Sequence, residues 1–163
     1  LSLYSEAENL IANTDRPETQ LLRARILDSH AWALLPLGRE KDAEALFEES
    51  LQCKELHQDK TGMAISTTGL AICASKMGDT QKSLVRLEQA RSLNNETGSY
   101  EFEVRNLLSI IQAQQVLGNK NAVWDTIKQS KEILESGQIT DLDDLNSLKE
   151  ELTEIEKKPL PES

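Results

Sequence analysis

Apolar and small residues return along this chain at helical spacing, and they return again in near copies 40 residues further on. Residues 27–51 (LDSHAWALLPLGREKDAEALFEESL), 67–91 (TTGLAICASKMGDTQKSLVRLEQAR) and 107–131 (LLSIIQAQQVLGNKNAVWDTIKQSK) align without gaps. Gly38, Gly78 and Gly118 occupy the same place in each. Each glycine follows a bulky apolar residue (Leu37, Met77, Leu117) and precedes a polar pair (Arg39-Glu40, Asp79-Thr80, Asn119-Lys120). That order reads as helix, glycine stop, new helix, because glycine takes the left-handed conformation at little cost. After the stop, Ala43, Phe47 and Ser50 are echoed by Ser83, Leu87 and Ala90, and by Val123, Ile127 and Ser130. Spacings of four and three mark one helical face. Before the stop, Leu27, Ala31 and Leu34 are echoed by Leu70, Ala71 and Ala74, and by Leu107, Ile110 and Ile111. The small residues among these let paired helices approach closely, so the pattern predicts three antiparallel helix hairpins in an all-α chain.

The ends extend the pattern. Residues 3–16 read as one helix of a preceding, partial repeat, with Leu3, Ala7, Leu10 and Ile11 inward and a turn at Asp15-Arg16-Pro17. Gly137 stops a helix, and Thr140 or Asp141 is placed to cap the next one, with Asp143 or Asp144 reaching back. Leu142, Leu145, Leu148, Leu152 and Ile155 then form an apolar stripe opposite Lys149, Glu150, Glu151, Glu154 and Glu156, as a terminal cap should. About two heptads are too few to favour a dimerising coiled coil. The expected organisation is a single domain over 1–163. It comprises a partial repeat at 3–16, repeats at 21–57, 61–97 and 101–137, a capping helix at 141–157 and a tail at 158–163.

These residues resemble the tetratricopeptide repeat family, which sets a small residue midway along helix A, glycine at the turn, then small, aromatic and small residues along helix B. The first repeat matches best, through Ala31, Gly38, Ala43, Phe47 and Ser50. The family's helix A tryptophan is replaced by Leu27, Thr67 and Leu107, and its terminal proline by Glu55, Asn95 and Glu135. The period of 40, against a usual value of about 34, is similar to the longer repeats of signalling and kinesin-light-chain type. The resemblance covers roughly residues 21–137. It implies a right-handed superhelical solenoid that holds a protein or peptide and does not catalyse, as a module of a larger signalling or transcriptional regulator. The other function it allows is a sensor whose superhelix changes when a peptide or small ligand binds.

Composition agrees with a thin, helical core: 38% of residues are hydrophobic and only 4% aromatic. A net charge of −10 disfavours direct contact with nucleic acid, where affinity comes from Lys and Arg. The longest apolar run, 31–37 (AWALLPL), is far too short to span a bilayer. Cys53 and Cys73 have no framework spacing and read as reduced thiols of a cytoplasmic chain. A start at Leu1 reads as a piece of a longer protein.

The sequence carries none of the common catalytic or metal-binding patterns. The chain has no Walker loop, GxGxxG, HExxH or GxSxG. His30 reads as an inward structural histidine. Cys53 and His57, four apart, fall two ligands short of a metal site. Asp141, Asp143 and Asp144 lack the glycine and the position-12 glutamate of a calcium loop. Asn95-Glu96-Thr97 is a formal glycosylation sequon, relevant only in a secretory compartment. No cofactor is expected.

If the resemblance holds, the first helices line a concave groove. The family's groove positions fall on Arg25, Asp28, Ser29, Trp32 and Leu35, then on Ile65, Thr68, Ile72, Ser75 and Lys76. In the third repeat they fall on Arg105, Leu108, Ser109, Gln112 and Gln115. Asp28 and Thr68 stand where the family's carboxylate clamp needs Lys, and Trp32 and Ile72 replace its Asn, so a chaperone-tail adaptor is disfavoured. Acidity gathers at the ends and on the first helix B. The expected ligand is therefore an acidic or amphipathic peptide, contacted by Arg25, Lys76 and Arg105 and anchored on Trp32.

Overall fold

A computed structural model describes Leu3, Glu6 and residues 16–157. Seven helices are bounded among these residues, and no strand: α1 (Pro17–Leu34), α2 (Glu40–Leu56), α3 (Lys60–Lys76), α4 (Thr80–Glu96), α5 (Tyr100–Val116), α6 (Lys120–Glu135) and α7 (Leu142–Glu156). Leu3 is helical but 77% exposed, contrary to its expected inward position. Ala7, Leu10, Ile11 and the tail at 158–163 lie outside the described residues.

The chain divides into two compact units, Leu1–Asp79 and Thr80–Ser163. In the first, α1 packs on α2 and α2 on α3, and α1 also touches α3. In the second, α4 packs on α5 and α5 on α6, while α7 lies against α5 and α6. Consecutive helices thus pack as neighbours within each unit.

Local sequence explains the boundaries. Pro17, expected within a turn, instead opens α1 at its first position behind an extended Arg16, where its missing N–H costs nothing. Gly38, Gly78 and Gly118 all adopt positive φ. The first turn is tighter than the others: α1 ends at Leu34 and continues as a 3-10 turn, Leu35–Leu37. Pro36 has no amide to donate to Trp32, so the α-helical ladder stops there. A second set of left-handed residues, Gln58, Gly98 and Gly137, joins one hairpin to the next helix. At α7 the expected cap is Asp141, whose carboxylate accepts from the amides of Asp143 and Asp144 at 3.0 Å each.

All nine residues of the predicted helix B face are buried, and so are all nine of the helix A face. The first unit's apolar core gathers Ala31, Leu34, Leu35, Ala43, Phe47, Leu70 and Cys73. The second gathers Val104, Leu108, Ile111, Val123, Ile127, Leu134 and Ile139 with Leu148, Leu152 and Ile155 of α7. Leu142 departs from its stripe: it is 71% exposed because it begins the helix, ahead of the first turn that packs.

Among the described residues, Phe47 is the one large aromatic fully enclosed in the first unit's core, and it fits only because Gly69 of α3 faces it. A Cβ built at Gly69 would run into the Phe47 ring. Gly69→Ala should therefore destabilise the protein, because overpacking costs about 1–3 kcal/mol and exceeds the ~1 kcal/mol helix-propensity gain from replacing glycine. Urea unfolding checks this, and adding Phe47→Leu should recover part of the loss. An unchanged or raised midpoint for Gly69→Ala alone would contradict the packing argument.

Candidate functional site

The first unit carries most of the expected groove residues that remain at the surface, on α1 and α3. Arg25, Ser29 and Trp32 follow one another at spacings of four and three on α1, all exposed. The neighbouring α3 carries Ile65, Thr68, Ile72 and Lys76 in a similar stripe. Leu22, Trp32 and Ile65 expose 49%, 36% and 40% of their surface, a concentration of apolar area on two helices that touch. Trp32 is held by an edge-to-face contact with Phe47, ring centroids 5.2 Å apart at 75°, so its indole is braced from below and open above. Ile72 is half-buried against the core, and Thr68 is half-buried. The Ser29 hydroxyl donates to the Arg25 carbonyl at 2.9 Å, one turn back along its own helix. Arg25 and Lys76 are exposed and make no ion pair among the described residues.

Three expected groove positions turn out to be interior. Leu35 and Leu108 are buried in the two cores. Asp28 is 6% exposed and ion-paired with Lys54 of α2, itself 1% exposed. The Lys54 ammonium also donates to Ser66 Oγ of α3 at 2.8 Å, and Ser66 donates to the other Asp28 oxygen at 2.8 Å. Ser50 stands 3.2 Å from Ser66 and donates to the Ala24 carbonyl at 2.7 Å. This cluster joins α1, α2 and α3, and the sequence reading overlooked it. Its signal was present: the face through Ala43, Phe47 and Ser50 extends by four residues to Lys54, an inward cation that requires a partner.

On α5 of the second unit the arrangement differs. Arg105 is exposed, but its guanidinium is held by Glu101 at 3.0 Å and by Asp144 of α7 at 3.3 Å. Ser109 donates to the Arg105 carbonyl at 3.1 Å, Gln112 is exposed and Gln115 half-buried. Glu103, also not singled out from sequence, is 1% exposed and is reached by Asn95 at 3.1 Å and Arg91 at 3.5 Å. Asn95 of the sequon is thus engaged, and the Thr97 hydroxyl closes the end of α4 through the carbonyls of Leu93 and Asn94. A cleft of about 230 Å³ lies between Gly98–Phe102 and Gln138–Asp141. Of its two carboxylates, Glu101 is engaged by Arg105 and Asp141 by the α7 amides.

Among the described residues, no group of three or more His, Cys, Asp or Glu could hold a metal ion. His57 meets the Gln20 side chain at 2.7 Å, and the Cys53 thiol donates to the Gln20 carbonyl at 3.2 Å. Both cysteines are free thiols, and His30 is half-buried. Burial pushes the Cys53 thiol above its ordinary range, against a smaller opposing pull from Arg23 and Lys54. No helix among the described residues is long and apolar enough to cross a membrane. Comparison with family models and with curated proteins finds no match.

Two measurements follow from these environments. The raised Cys53 pKa leaves the neutral thiol in place through neutral pH, so iodoacetamide should alkylate it more slowly than the unfolded chain, with the rate rising at higher pH. A folded-state rate equal to the unfolded one at pH 8 would contradict that. Lys54→Met alone should strip Asp28 of its counter-charge in the core and destabilise the chain by about 3–5 kcal/mol. A thermal or urea midpoint within error of the parent would show the pair to be dispensable.

Proposed function

We propose that this chain is a tetratricopeptide-like interaction module whose α1/α3 face holds an acidic or amphipathic segment of a protein partner. The repeat resemblance implies that its hairpins stack as a right-handed superhelix, with first helices toward the ligand. The observation that carries the proposal is the combination on one unit of exposed Leu22, Trp32 and Ile65 with two cations, Arg25 and Lys76, that no carboxylate among the described residues engages. Interface hot spots favour a rigid aromatic bordered by charge, and Trp32 is braced on Phe47. Arg105, expected as a third charge contact, is already neutralised by Glu101 and Asp144 and is assigned a lesser part.

The test selects peptides from a randomised display library on the full chain, then measures affinity for parent and variants by calorimetry. Trp32→Ala should weaken binding by more than tenfold, the scale of a hot spot of about 2 kcal/mol. Arg25→Glu with Lys76→Glu should weaken it about tenfold at low salt and less at high salt. Arg105→Glu should change it little. Selected peptides without acidic residues, or affinities that ignore Arg25 and Trp32, would defeat the proposal.

A further inference from the structure

α3 meets α2 at three points spaced four and three along one face, and each is cut to a particular side chain. Gly62 admits the stem of Lys54: a Cβ there would stand 2.9 Å from Lys54 Cδ and collide with Asp59. Ser66 takes the Lys54 ammonium and bonds Asp28. Gly69 admits the Phe47 ring. Lys54 and Phe47 are the two largest fully buried side chains of α2. Elsewhere the three repeats carry similar small and apolar residues at matching places, such as Ala31, Ala71 and Ile111, or Phe47, Leu87 and Ile127.

Forty residues further on, the positions of Gly62, Ser66 and Gly69 hold Phe102, Asn106 and Ser109 on α5. The positions of Asp28 and Lys54 hold Thr68 and Asn94, then Leu108 and Leu134. Repeat proteins with interchangeable faces are prone to swapping and misassembly. A phenylalanine in place of Gly62 and an asparagine in place of Ser66 would obstruct α5 from docking on α2. We infer that the Lys54–Asp28–Ser66 cluster, beyond the room that Gly62 and Gly69 provide, is a helix-order lock: it selects α3 over the equivalent helix α5, from the same chain or a second copy. A buried ion pair contributes little net stability against well-packed apolar residues, yet a polar group in a core can set register and oligomeric state. Here the selectivity lies in what a wrong helix would leave behind, a buried ammonium and carboxylate short of one hydroxyl and under steric pressure.

The full chain with Asp28→Leu, Lys54→Met and Ser66→Ala together tests this. It removes the polar component and keeps both glycines. The expected variant has the parent's helical circular dichroism and an equal or higher urea midpoint. It should nevertheless add a dimer-mass species in size-exclusion light scattering and a second set of amide cross-peaks, both absent from the parent. A triple variant with the parent's mass and one set of cross-peaks overturns the lock, since the glycine clearances would then suffice. A variant that unfolds also overturns it, because the cluster would then be supplying stability and not selection.

Discussion

An ammonium group enclosed in a helical core is the constraint from which the first unit follows. Lys54 leaves water almost completely, at a desolvation cost of several kcal/mol per ion. Such a group is tolerated only with an opposite charge and enough acceptors nearby. Asp28 supplies the charge, Ser66 a hydroxyl, and Ser50 closes the set onto the α1 backbone. Gly62 is then required on α3 because the lysine stem needs room to reach that carboxylate. One buried cation thus dictates residue types on three helices.

The same constraint orients the surface. With Asp28 drawn inward, Arg25 and Trp32, three before it and four after it, remain on the exposed stripe of α1 together with Ser29. Phe47, one turn-pair before Lys54 on α2, fills the space beneath Trp32 and fixes its indole through an edge contact. The proposed binding face and the buried cluster are therefore two sides of one arrangement, and a change at Asp28 would be felt at both.

Helix positions, turn glycines and the inward faces were legible from sequence because each rests on local periodicity and on the left-handed preference of glycine. Asp141 was legible for the same reason, since a cap is a contact within four residues. Asp28 was not legible as interior because its partner Lys54 lies 26 positions away, and Leu35 and Leu108, groove positions in the family pattern, are apolar side chains that pack into the two cores. Gln58 was missed as a turn residue because it takes positive φ without being glycine. Leu142 was misjudged because a hydrophobic stripe does not reveal how far into a helix the packing begins.

Charge separates the two units more sharply than apolar surface does. In a chain of net charge −10 carboxylates are abundant, yet Arg25, Lys41, Lys76 and Lys149 are exposed cations with no ion pair among the described residues. Arg105 shows the ordinary outcome: two acidic neighbours, one on its own helix and one on α7, take its donors. Lys131 and Glu156, and Arg23 and Glu49, repeat that outcome elsewhere. Arg25 has Leu22, Ser29 and Trp32 beside it on the exposed stripe of α1, with the Asp28 carboxylate turned inward to Lys54. A stretch of surface that keeps carboxylates away from two cations leaves their donors to an incoming acidic ligand, which need not displace an internal ion pair to bind. Such pairs contribute only about 0–1 kcal/mol at the surface, so under the proposed function the advantage of unpaired cations beside Trp32 would lie less in energy than in direction.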